Sequence, residues 1–471
     1  MSEPTIDAAS DGPWLGDACS LVDAFRTGER SPAEQLEAVL TSIEISRLNA
    51  FCFLDPDAAR TAARRADTAL PFGGLPTGVK ELEYVQGWPA THASVVFAAD
   101  IADHTTTMVR RLDDAGVISV GLTTSSEFGG LNIGVTKAHG VTHNPWRHGR
   151  TPGGSSAGSS AAVAGGLVPI ATGSDGGGSI RIPAGFCGLI GMKGTAGRIP
   201  RGPRTEIAPL TQVLGCVARS VRDVARWYDV CAGYHPRDPY SLPGNEGWER
   251  LLGSYDLRGK RAVIAPNLGG SAVVRDKVEE SVRDGAEALA HDAGLRLIDA
   301  PAKLTAGVAG WALSNAVQLR RLLGERWPAC ADDMTLEMAA GVKMASQSYD
   351  LDAAARVEAQ RTQTNEQMAD IFDQADFIIC ATNPDVAFAA DVSLNNKVDD
   401  RVVGIENNGA LTVPANIVGN PAISVPVEAV DGMPVGMQIM ARHHDDALLL
   451  DLARVAERER PWPLVAPGAP I

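Results

Sequence analysis

A stretch of small residues between Thr151 and Arg181 contains the residue types that acyl-transfer chemistry needs. Within it, Gly176, Gly177 and Gly178 directly precede Ser179. Glycine costs about 1 kcal/mol relative to alanine inside a helix, so a glycine cluster is expected where the backbone turns sharply or approaches a ligand closely. Backbone N–H groups beside a serine hydroxyl could stabilise the oxyanion of acyl transfer. On residue content alone, a glycine turn without chemistry explains the pattern equally well.

The same stretch is predicted to be buried rather than to act as a flexible linker. Gly/Ser linkers are polar throughout. Here apolar residues alternate with the small ones, namely Ala161, Ala162, Val163, Leu167, Val168, Ile170 and Ala171. The pattern therefore indicates an element packed inside a globular core.

The composition argues against several classes of partner. The chain has 471 residues, 45% of them hydrophobic, and a formal net charge of -15. Neutralising phosphates needs clustered lysine and arginine, so this charge balance argues against a nucleic-acid partner. The segment Met1–Pro13 is polar and acidic, unlike a signal peptide, and no run reaches the roughly 18 apolar residues of a spanning helix. We therefore expect a soluble cytoplasmic protein with no membrane partner.

Cysteine and histidine usage does not indicate a metal centre. The seven cysteines are scattered without a C-x-x-C pair, which predicts reduced thiols rather than disulfides or a zinc site. His443 and His444 are adjacent and would point in different directions, so we interpret them as surface residues. The sequence implies no metal and no organic cofactor.

Helices and strands alternate along the chain, which predicts an α/β fold around the glycine-rich stretch. The sequence Ser31-Pro32-Ala33-Glu34 is a strong helix start with a capping box. Other predicted helices cover 21–26, 57–70, 107–115, 274–292, 352–374 and 445–457, with irregular helix over 305–350. Predicted strands cover 117–122, 167–172, 189–192, 261–266, 295–299 and 377–381, and Asp431-Gly432 predicts a hairpin within 421–441. These elements predict one large unit with a mixed sheet.

Three separated motifs resemble those of a known family. Lys80 lies in G-V-K-E, Ser155 in G-G-S-S-A-G-S and Ser179 in G-S-D-G-G-G-S-I-R-I-P. Together with the flanking blocks S-E-F, H-N-P-W, F-C-G-L-I-G-M-K, V-P-A-N-I-V-G-N-P-A-I-S-V-P and D-G-M-P-V-G-M-Q-I, they resemble the amidase signature family. The resemblance covers most of the chain outside roughly Tyr234–Ala381.

The resemblance implies a single amidase-signature domain over residues 1–471. Its α/β fold would contain a central mixed β-sheet of about ten strands flanked by helices on both faces. Within it we expect an N-terminal helical region (1–70), a signature core (71–233), a variable substrate-specificity region (234–381) and a C-terminal part that completes the core (382–471). Members of the family are often homodimers, so the resemblance also suggests that state.

The resemblance further implies a Ser-cisSer-Lys triad that hydrolyses a carbon–nitrogen acyl bond. Ser179 would be the nucleophile that forms the acyl-enzyme. Ser155, entered through a cis peptide bond, would take the proton of Ser179 and pass its own to Lys80. The oxyanion hole would be formed by the backbone N–H groups of Gly176, Gly177, Gly178 and Ser179. The supporting residues would be Ser156, Asp175 and Arg181.

For that role Lys80 must be neutral. An ordinary lysine pKa of about 10.4 makes the neutral form unfavourable by roughly 4.6 kcal/mol at pH 7. Burial beside apolar groups such as Val79 can lower the pKa by several units. We therefore predict that Lys80 is buried, although most lysines lie on the surface.

The sequence departs from the family pattern at three positions. Glu81 stands where aspartate is usual, Gly176 where threonine or a branched apolar residue is usual, and Gly194 where proline is typical. Three consecutive glycines predict a looser oxyanion loop.

Two alternatives compete with a stand-alone amidase. Gly154 to Gly158 matches the G-x-S-x-G elbow of α/β-hydrolases, which would make Ser156 the nucleophile of an esterase. The other is a glutaminase subunit of an amidotransferase complex, whose later segments would carry an arginine and an aspartate. The corresponding segments here read G-V-K-M-A-S at 341–346 and E-N-N-G at 406–409, without that pair.

The substrate is expected to be a small-molecule amide with a small or aryl, largely uncharged acyl group. Anilides, hydrazides and esters are related alternatives. Specificity should come from the variable region and the 128–133 loop, so the candidate substrate-binding residues are Phe128, Leu131, Asn132, Trp311 and Trp327.

Overall fold

The computed structural model describes residues 12–205, 210–244, 247–305 and 307–471. Its strands are β1 (Phe51–Leu54), β2 (Pro76–Lys80), β3 (Ile118–Thr123), β4 (Val135–Thr136), β5 (Gly140–Val141), β6 (Ile170–Asp175), β7 (Ile190–Lys193), β8 (Val213–Ala218), β9 (Arg261–Ile264), β10 (Arg296–Leu297), β11 (Phe377–Ala381), β12 (Lys397–Val398), β13 (Arg401–Val402), β14 (Ala422–Val430) and β15 (Met433–Ala441). Its α-helices are α1 (Ala18–Thr27), α2 (Pro32–Ile45), α3 (Pro56–Arg64), α4 (Thr107–Asp114), α5 (Ala157–Ala164), α6 (Arg181–Cys187), α7 (Val221–Cys231), α8 (Trp248–Leu251), α9 (Asp276–Ala293), α10 (Val308–Leu323), α11 (Leu336–Ser348), α12 (Leu351–Gln374), α13 (Val413–Val418) and α14 (Asp446–Glu459).

Eleven strands form one mixed sheet in the order β1-β3-β2-β6-β8-β7-β14-β15-β11-β9-β10. β2 runs parallel to β3 and β6, and β9 runs parallel to β10 and β11, while the other neighbouring pairs are antiparallel. The predicted α/β class and mixed sheet are confirmed. Each of the four predicted segments contributes strands to this sheet, although the segment boundaries themselves remain a prediction.

Helices cover both faces of the sheet. Along β8, Cys216 and Ala218 belong to one hydrophobic cluster and Val217 to another. Because alternate residues of a strand point to opposite faces, the two clusters lie on opposite sides. The first contains residues of α1, α7, α9 and α14, and the second contains residues of α2, α3 and α5.

Several local predictions are confirmed. Ser31 caps α2 with the full capping box, in which Ser31 Oγ accepts from the N–H of Glu34 and the Glu34 carboxylate accepts from the N–H of Ser31. β14 and β15 form the predicted hairpin around Asp431 and Gly432. All seven cysteines are free, and His443 and His444 are exposed.

Other local predictions are wrong. The helix predicted over 57–70 ends at Arg64, because Asp67 Oδ1 accepts a hydrogen bond from the N–H of Ala69 and turns replace the helix. The N-terminal region predicted to be helical contributes β1, and sequence periodicity did not indicate β2, β8 or α7. Residues 1–11 of the segment compared with signal peptides lie outside the described residues. Across the described chain, each helix is too short or too polar to cross a membrane.

A buried ion pair links the C-terminal part of the chain to the glycine-rich loop. Arg181 Nε and Nη2 each donate to the carboxylate of Asp175 at 2.9 Å, and both side chains are fully buried. Arg181 Nη1 also donates to the carbonyl of Thr412 at 3.0 Å and to Oε1 of Gln438 at 2.5 Å. Burial opposes ionisation of Asp175. The charge and hydrogen bonds of Arg181, the hydrogen bond from Asn416 and the charge of Lys193 together outweigh burial and hold the pKa of Asp175 below its usual range.

We expect Arg181→Leu to lower the free energy of unfolding by about 3–5 kcal/mol, because it leaves the Asp175 carboxylate buried without its partner. The matched control is Arg60→Leu, which removes an arginine bound to Glu37 by two hydrogen bonds at the surface. That change should lower the free energy of unfolding by about 0–1 kcal/mol. Chemical unfolding of both variants measures the difference, and equal shifts of the two midpoints would contradict the assignment.

Candidate active site

Lys80 is the last residue of β2, and its side chain is completely buried. Its Nζ donates to Ser155 Oγ at 2.7 Å, to Ser174 Oγ at 3.0 Å and to the carbonyl of Ser174 at 3.3 Å. The backbone N–H of Lys80 donates to Thr172 Oγ1 at 2.7 Å, which fixes the end of β2 against β6. The prediction that Lys80 is buried is confirmed.

The protonation of Lys80 is set mainly by its burial. Burial lowers the pKa of Lys80 to about 7, while the carboxyls of Glu83, Asp175 and Glu81 act in the opposite direction. Burial also raises the pKa of Glu83 to about 7. A substantial fraction of Lys80 is therefore neutral near pH 7, as a general base requires.

Ser155 lies at the N-terminal end of α5 and follows a cis peptide bond from Gly154. Its side chain is almost fully buried, and its carbonyl accepts a hydrogen bond from the N–H of Ser126 at 3.3 Å. A methyl group placed on Gly154 would lie 2.4 Å from the carbonyl oxygen of Ile133, so only glycine fits before Ser155. The backbone therefore places Ser155 Oγ against the amine of Lys80.

Ser179 lies in the loop between β6 and α6 and is partly exposed. Its carbonyl accepts a hydrogen bond from the N–H of Ser156 at 3.3 Å, which brings the Ser155 and Ser179 segments together. Within the described residues, the hydroxyl of Ser179 makes no hydrogen bond. The contact between Ser155 Oγ and Ser179 Oγ that a relay requires is therefore not formed in this conformation.

The glycine loop before Ser179 is held from several directions. Gly178 has a φ of 130° and donates its N–H to Asp175 Oδ1 at 2.7 Å. This bond engages one of the four predicted oxyanion donors, because the ionised Asp175 carboxylate attracts it. In the part of the chain that the structure describes, the N–H groups of Gly176, Gly177 and Ser179 remain without a hydrogen bond.

The predicted looseness of this loop is not what the structure shows. Trp311 Nε1 donates to the carbonyl of Gly176 at 2.7 Å. Thr412 Oγ1 donates to the carbonyl of Gly177 at 2.6 Å. Side chains from distant parts of the chain therefore hold two successive carbonyls of the loop.

Two of the predicted substrate-binding residues, Phe128 and Trp327, are partly buried. Both lie against a small hydrophobic cluster that contains Phe97, Leu319 and Leu323. Their aromatic side chains therefore help to hold α10 against the 128–133 loop, and Trp311 contacts the glycine loop.

Leu131 and Asn132 are partly exposed in the 128–133 loop, where Asn132 Nδ2 donates to Asn408 Oδ1 at 3.5 Å. Gly129 of the same loop lies directly beside the site, since a methyl group placed on it would lie 3.4 Å from Ser155 Oγ. This loop therefore packs close to Ser155.

Three residues that contact or influence the site were not predicted from the sequence. Ser174 binds the amine of Lys80, Thr412 binds the glycine loop, and the buried carboxyl of Glu83 acts on the charge of Lys80. Ser174 stands inside the quoted motif G-S-D-G-G-G-S, so its position could have been noticed. Thr412 and Glu83 carried no comparable signal.

The structure argues against the esterase alternative. Ser156 is fully buried, and its Oγ has no hydrogen-bond partner among the described residues. A nucleophile elbow requires an exposed serine with a histidine as its base. The histidines available for that role lie fully or partly exposed on the surface, namely His235, His291, His443 and His444.

Two of the departures from the family pattern have structural consequences. Glu81 Oε1 accepts from the N–H of Ser125 at 2.9 Å, while Oε2 accepts from Thr91 Oγ1 at 3.1 Å. Gly194 donates its N–H to the hydroxyl of Tyr228 at 2.7 Å, a bond that the usual proline could not make.

One group of three potential metal ligands occurs among the described residues. Glu81 Oε2 lies 2.8 Å from His139 Nε2 and 3.5 Å from Cys52 Sγ. Because both oxygens of Glu81 already accept hydrogen bonds, we interpret the group as a hydrogen-bonded cluster. It joins β1, the end of β2 and the turn between β4 and β5.

Comparison with known proteins identifies relatives that span nearly the whole chain. A family model described as Amidase matches residues 34–450. One glutamyl-tRNA(Gln) amidotransferase subunit, from Chloroflexus aggregans, is 31% identical over 473 residues, covering 93% of this chain and 95% of the relative. The same subunit from Synechococcus sp. is 32% identical over 489 residues, covering 95% and 98%.

Solved structures share the fold. A bacterial aryl acylamidase of the amidase signature family superimposes with a TM-score of 0.88 at 24% identity, covering 95% of this chain and 97% of that one. The 6-aminohexanoate cyclic dimer hydrolase gives a TM-score of 0.86 at 29% identity, covering 96% and 99%. This chain therefore belongs to the amidase signature family of carbon–nitrogen hydrolases.

Proposed function

We propose that this protein hydrolyses an amide-type carbon–nitrogen bond in a small molecule through an acyl-enzyme on Ser179. The observation that carries this proposal is the 2.7 Å hydrogen bond between the buried Nζ of Lys80 and Oγ of Ser155. A lysine whose pKa is lowered by burial can act as a base, and the serine that it contacts can carry protons between it and a nucleophile.

In this mechanism the Ser179 oxygen attacks the acyl carbon while its proton passes to Ser155. Ser155 in turn gives its own proton to Lys80. Free N–H groups of the glycine loop would stabilise the tetrahedral oxyanion. The relay then returns a proton to the leaving amine, and water attacks the acyl-enzyme by the same route. Ser179 Oγ must rotate toward Ser155 for the first step, which is consistent with catalytic hydrogen bonds that tighten only when substrate binds.

The surroundings of the site favour an uncharged acyl group. Gly129 lies beside Ser155, and a methyl group on Gly130 would lie 2.5 Å from Met338 Sδ. Trp311 packs against Gly177. These apolar neighbours support a small or aryl acyl amide, with anilides, hydrazides or esters as related substrates.

A glutaminase subunit is the second candidate, because the relatives named above belong to a tRNA amidotransferase. Partner proteins would then receive the ammonia. The charged residues in the two segments where a glutamine-binding pair was expected, Lys343 and Glu406, are both exposed. This exposure favours the stand-alone hydrolase, for which a homodimer remains a prediction.

Fluorophosphonate labelling should modify Ser179 in the wild-type protein. The label should be lost in Lys80→Met and Ser155→Ala, because both changes break the proposed relay. Mass spectrometry of the labelled peptide measures the site. Ser160→Ala is the matched control. Ser160 carries a buried hydroxyl on α5 that has no hydrogen-bond partner among the described residues, so its loss should leave labelling intact. Labelling that survives in Lys80→Met would contradict the mechanism.

The pH dependence of labelling should report the protonation of Lys80. Because the neutral amine is the active form, the rate should rise with pH and reach half its maximum near pH 7, the lowered pKa of Lys80. Glu83→Gln removes a negative charge that raises this pKa, so the midpoint should move to lower pH. Glu37→Gln, at an exposed surface pair, should not move it. A midpoint near pH 10 would argue against a neutral Lys80.

A substrate panel distinguishes the two candidate functions. The protein alone is expected to hydrolyse an uncharged aryl or short-chain acyl amide and to leave glutamine intact. Liquid chromatography of the released acid and an ammonia assay measure both reactions. Saturable release of ammonia from glutamine, without turnover of the neutral amides, would favour the amidotransferase role instead.

A further inference from the structure

We propose that Trp311 is a positioning residue of the oxyanion hole. This inference rests on the proposed function and adds a residue that orients one of its backbone donors. Trp311 lies near the start of α10, in the variable region, far in sequence from the catalytic motifs. The variable region would thereby influence the rate of the chemical step as well as the choice of substrate.

The hydrogen bond of Trp311 acts on one particular peptide unit. Its Nε1–H reaches the carbonyl of Gly176, which belongs to the same peptide plane as the N–H of Gly177. Fixing that carbonyl fixes the direction of the N–H on the other side of the plane. The same bond also polarises the peptide, because hydrogen bonds in a chain strengthen one another. Among the described residues, the N–H of Gly177 makes no hydrogen bond, so it is one of the donors available to stabilise an oxyanion.

The ring of Trp311 acts together with its N–H. A methyl group placed on Gly177 would lie 2.6 Å from Cζ2 of Trp311, so the indole occupies the space where a side chain would be. A methyl group on Gly176 would meet only Gln212, at 4.0 Å. Glycine at position 177 thus leaves the space that the indole ring of Trp311 fills.

The neighbouring peptides are fixed by other residues. Thr412 holds the carbonyl of Gly177, and Asp175 holds the N–H of Gly178. The orientation of the peptide between Gly176 and Gly177 depends on Trp311. Among the described side chains, Trp311 is the one that hydrogen-bonds to this peptide.

The test compares Trp311→Phe with Trp146→Phe in the full-length protein. Trp146 is a close structural match, since its Nε1 donates to the carbonyl of Cys187 at 2.8 Å and its ring lies 3.1 Å from a methyl group placed on Gly188. It braces the end of α6 rather than the glycine loop. Both substitutions keep an aromatic ring and remove one N–H donor to a backbone carbonyl.

The readout is the second-order rate constant for fluorophosphonate labelling of Ser179, with the melting temperature of each variant. Removing an oxyanion donor outright lowers the reaction rate about 10²–10³-fold. We expect a donor that is present but no longer fixed in direction to lower the rate about tenfold. Trp311→Phe should therefore label about tenfold more slowly, with the pH midpoint unchanged because Lys80 is untouched. Trp146→Phe should label within about twofold of wild type.

The outcomes separate this inference from the proposed function. If wild-type Ser179 does not label, the proposed mechanism and this inference both fail. If wild type labels and the two variants label equally fast, only the role of Trp311 is refuted. The role is also refuted if the melting curve of Trp311→Phe shows a loss of folded protein that accounts for its slower labelling.

Discussion

The desolvated amine of Lys80 is the constraint on which the rest of the site depends. Taking a lysine out of water disfavours its charged form, whereas the carboxyls of Glu83, Asp175 and Glu81 favour that form. The balance leaves the pKa of Lys80 about 7, and a neutral amine can then accept a proton from Ser155. A more exposed lysine would stay charged, and one without nearby carboxyls would have an even lower pKa.

The fold meets this constraint by bringing separate segments to one end of the sheet. Parallel pairing of β2 with β6 places Ser174 beside Lys80, and the turn before α5 places Ser155 on its other side. The loop after β6 carries Ser179, and the buried Arg181–Asp175 pair connects that loop to the C-terminal part. These neighbours thus determine the positions of Lys80, Ser155 and Ser179.

The candidate site residues were easier to recognise in the sequence than the structure that supports them. The three motifs marked Lys80, Ser155 and Ser179, and the burial of Lys80 followed from the need for a neutral base. The hydrogen bond from Trp311 to the glycine loop was not predicted, because periodicity cannot show which distant element packs against a turn. β2 was missed since P-T-G-V-K is short and contains proline and glycine, both unfavourable for a strand pattern. The pairing that makes it a strand comes from β3 and β6.

The most direct test of this account is a nuclear magnetic resonance titration of the protein labelled with ¹⁵N at lysine Nζ. The signal of Lys80, assigned as the one missing from Lys80→Met, should titrate with a midpoint near pH 7. Lys193 is a second buried lysine, and burial lowers its pKa to about 7 as well. Its signal must therefore be assigned separately through Lys193→Met. A midpoint for Lys80 near 10.5, the ordinary lysine value, would show that the amine is charged at neutral pH and would contradict its proposed role as the base.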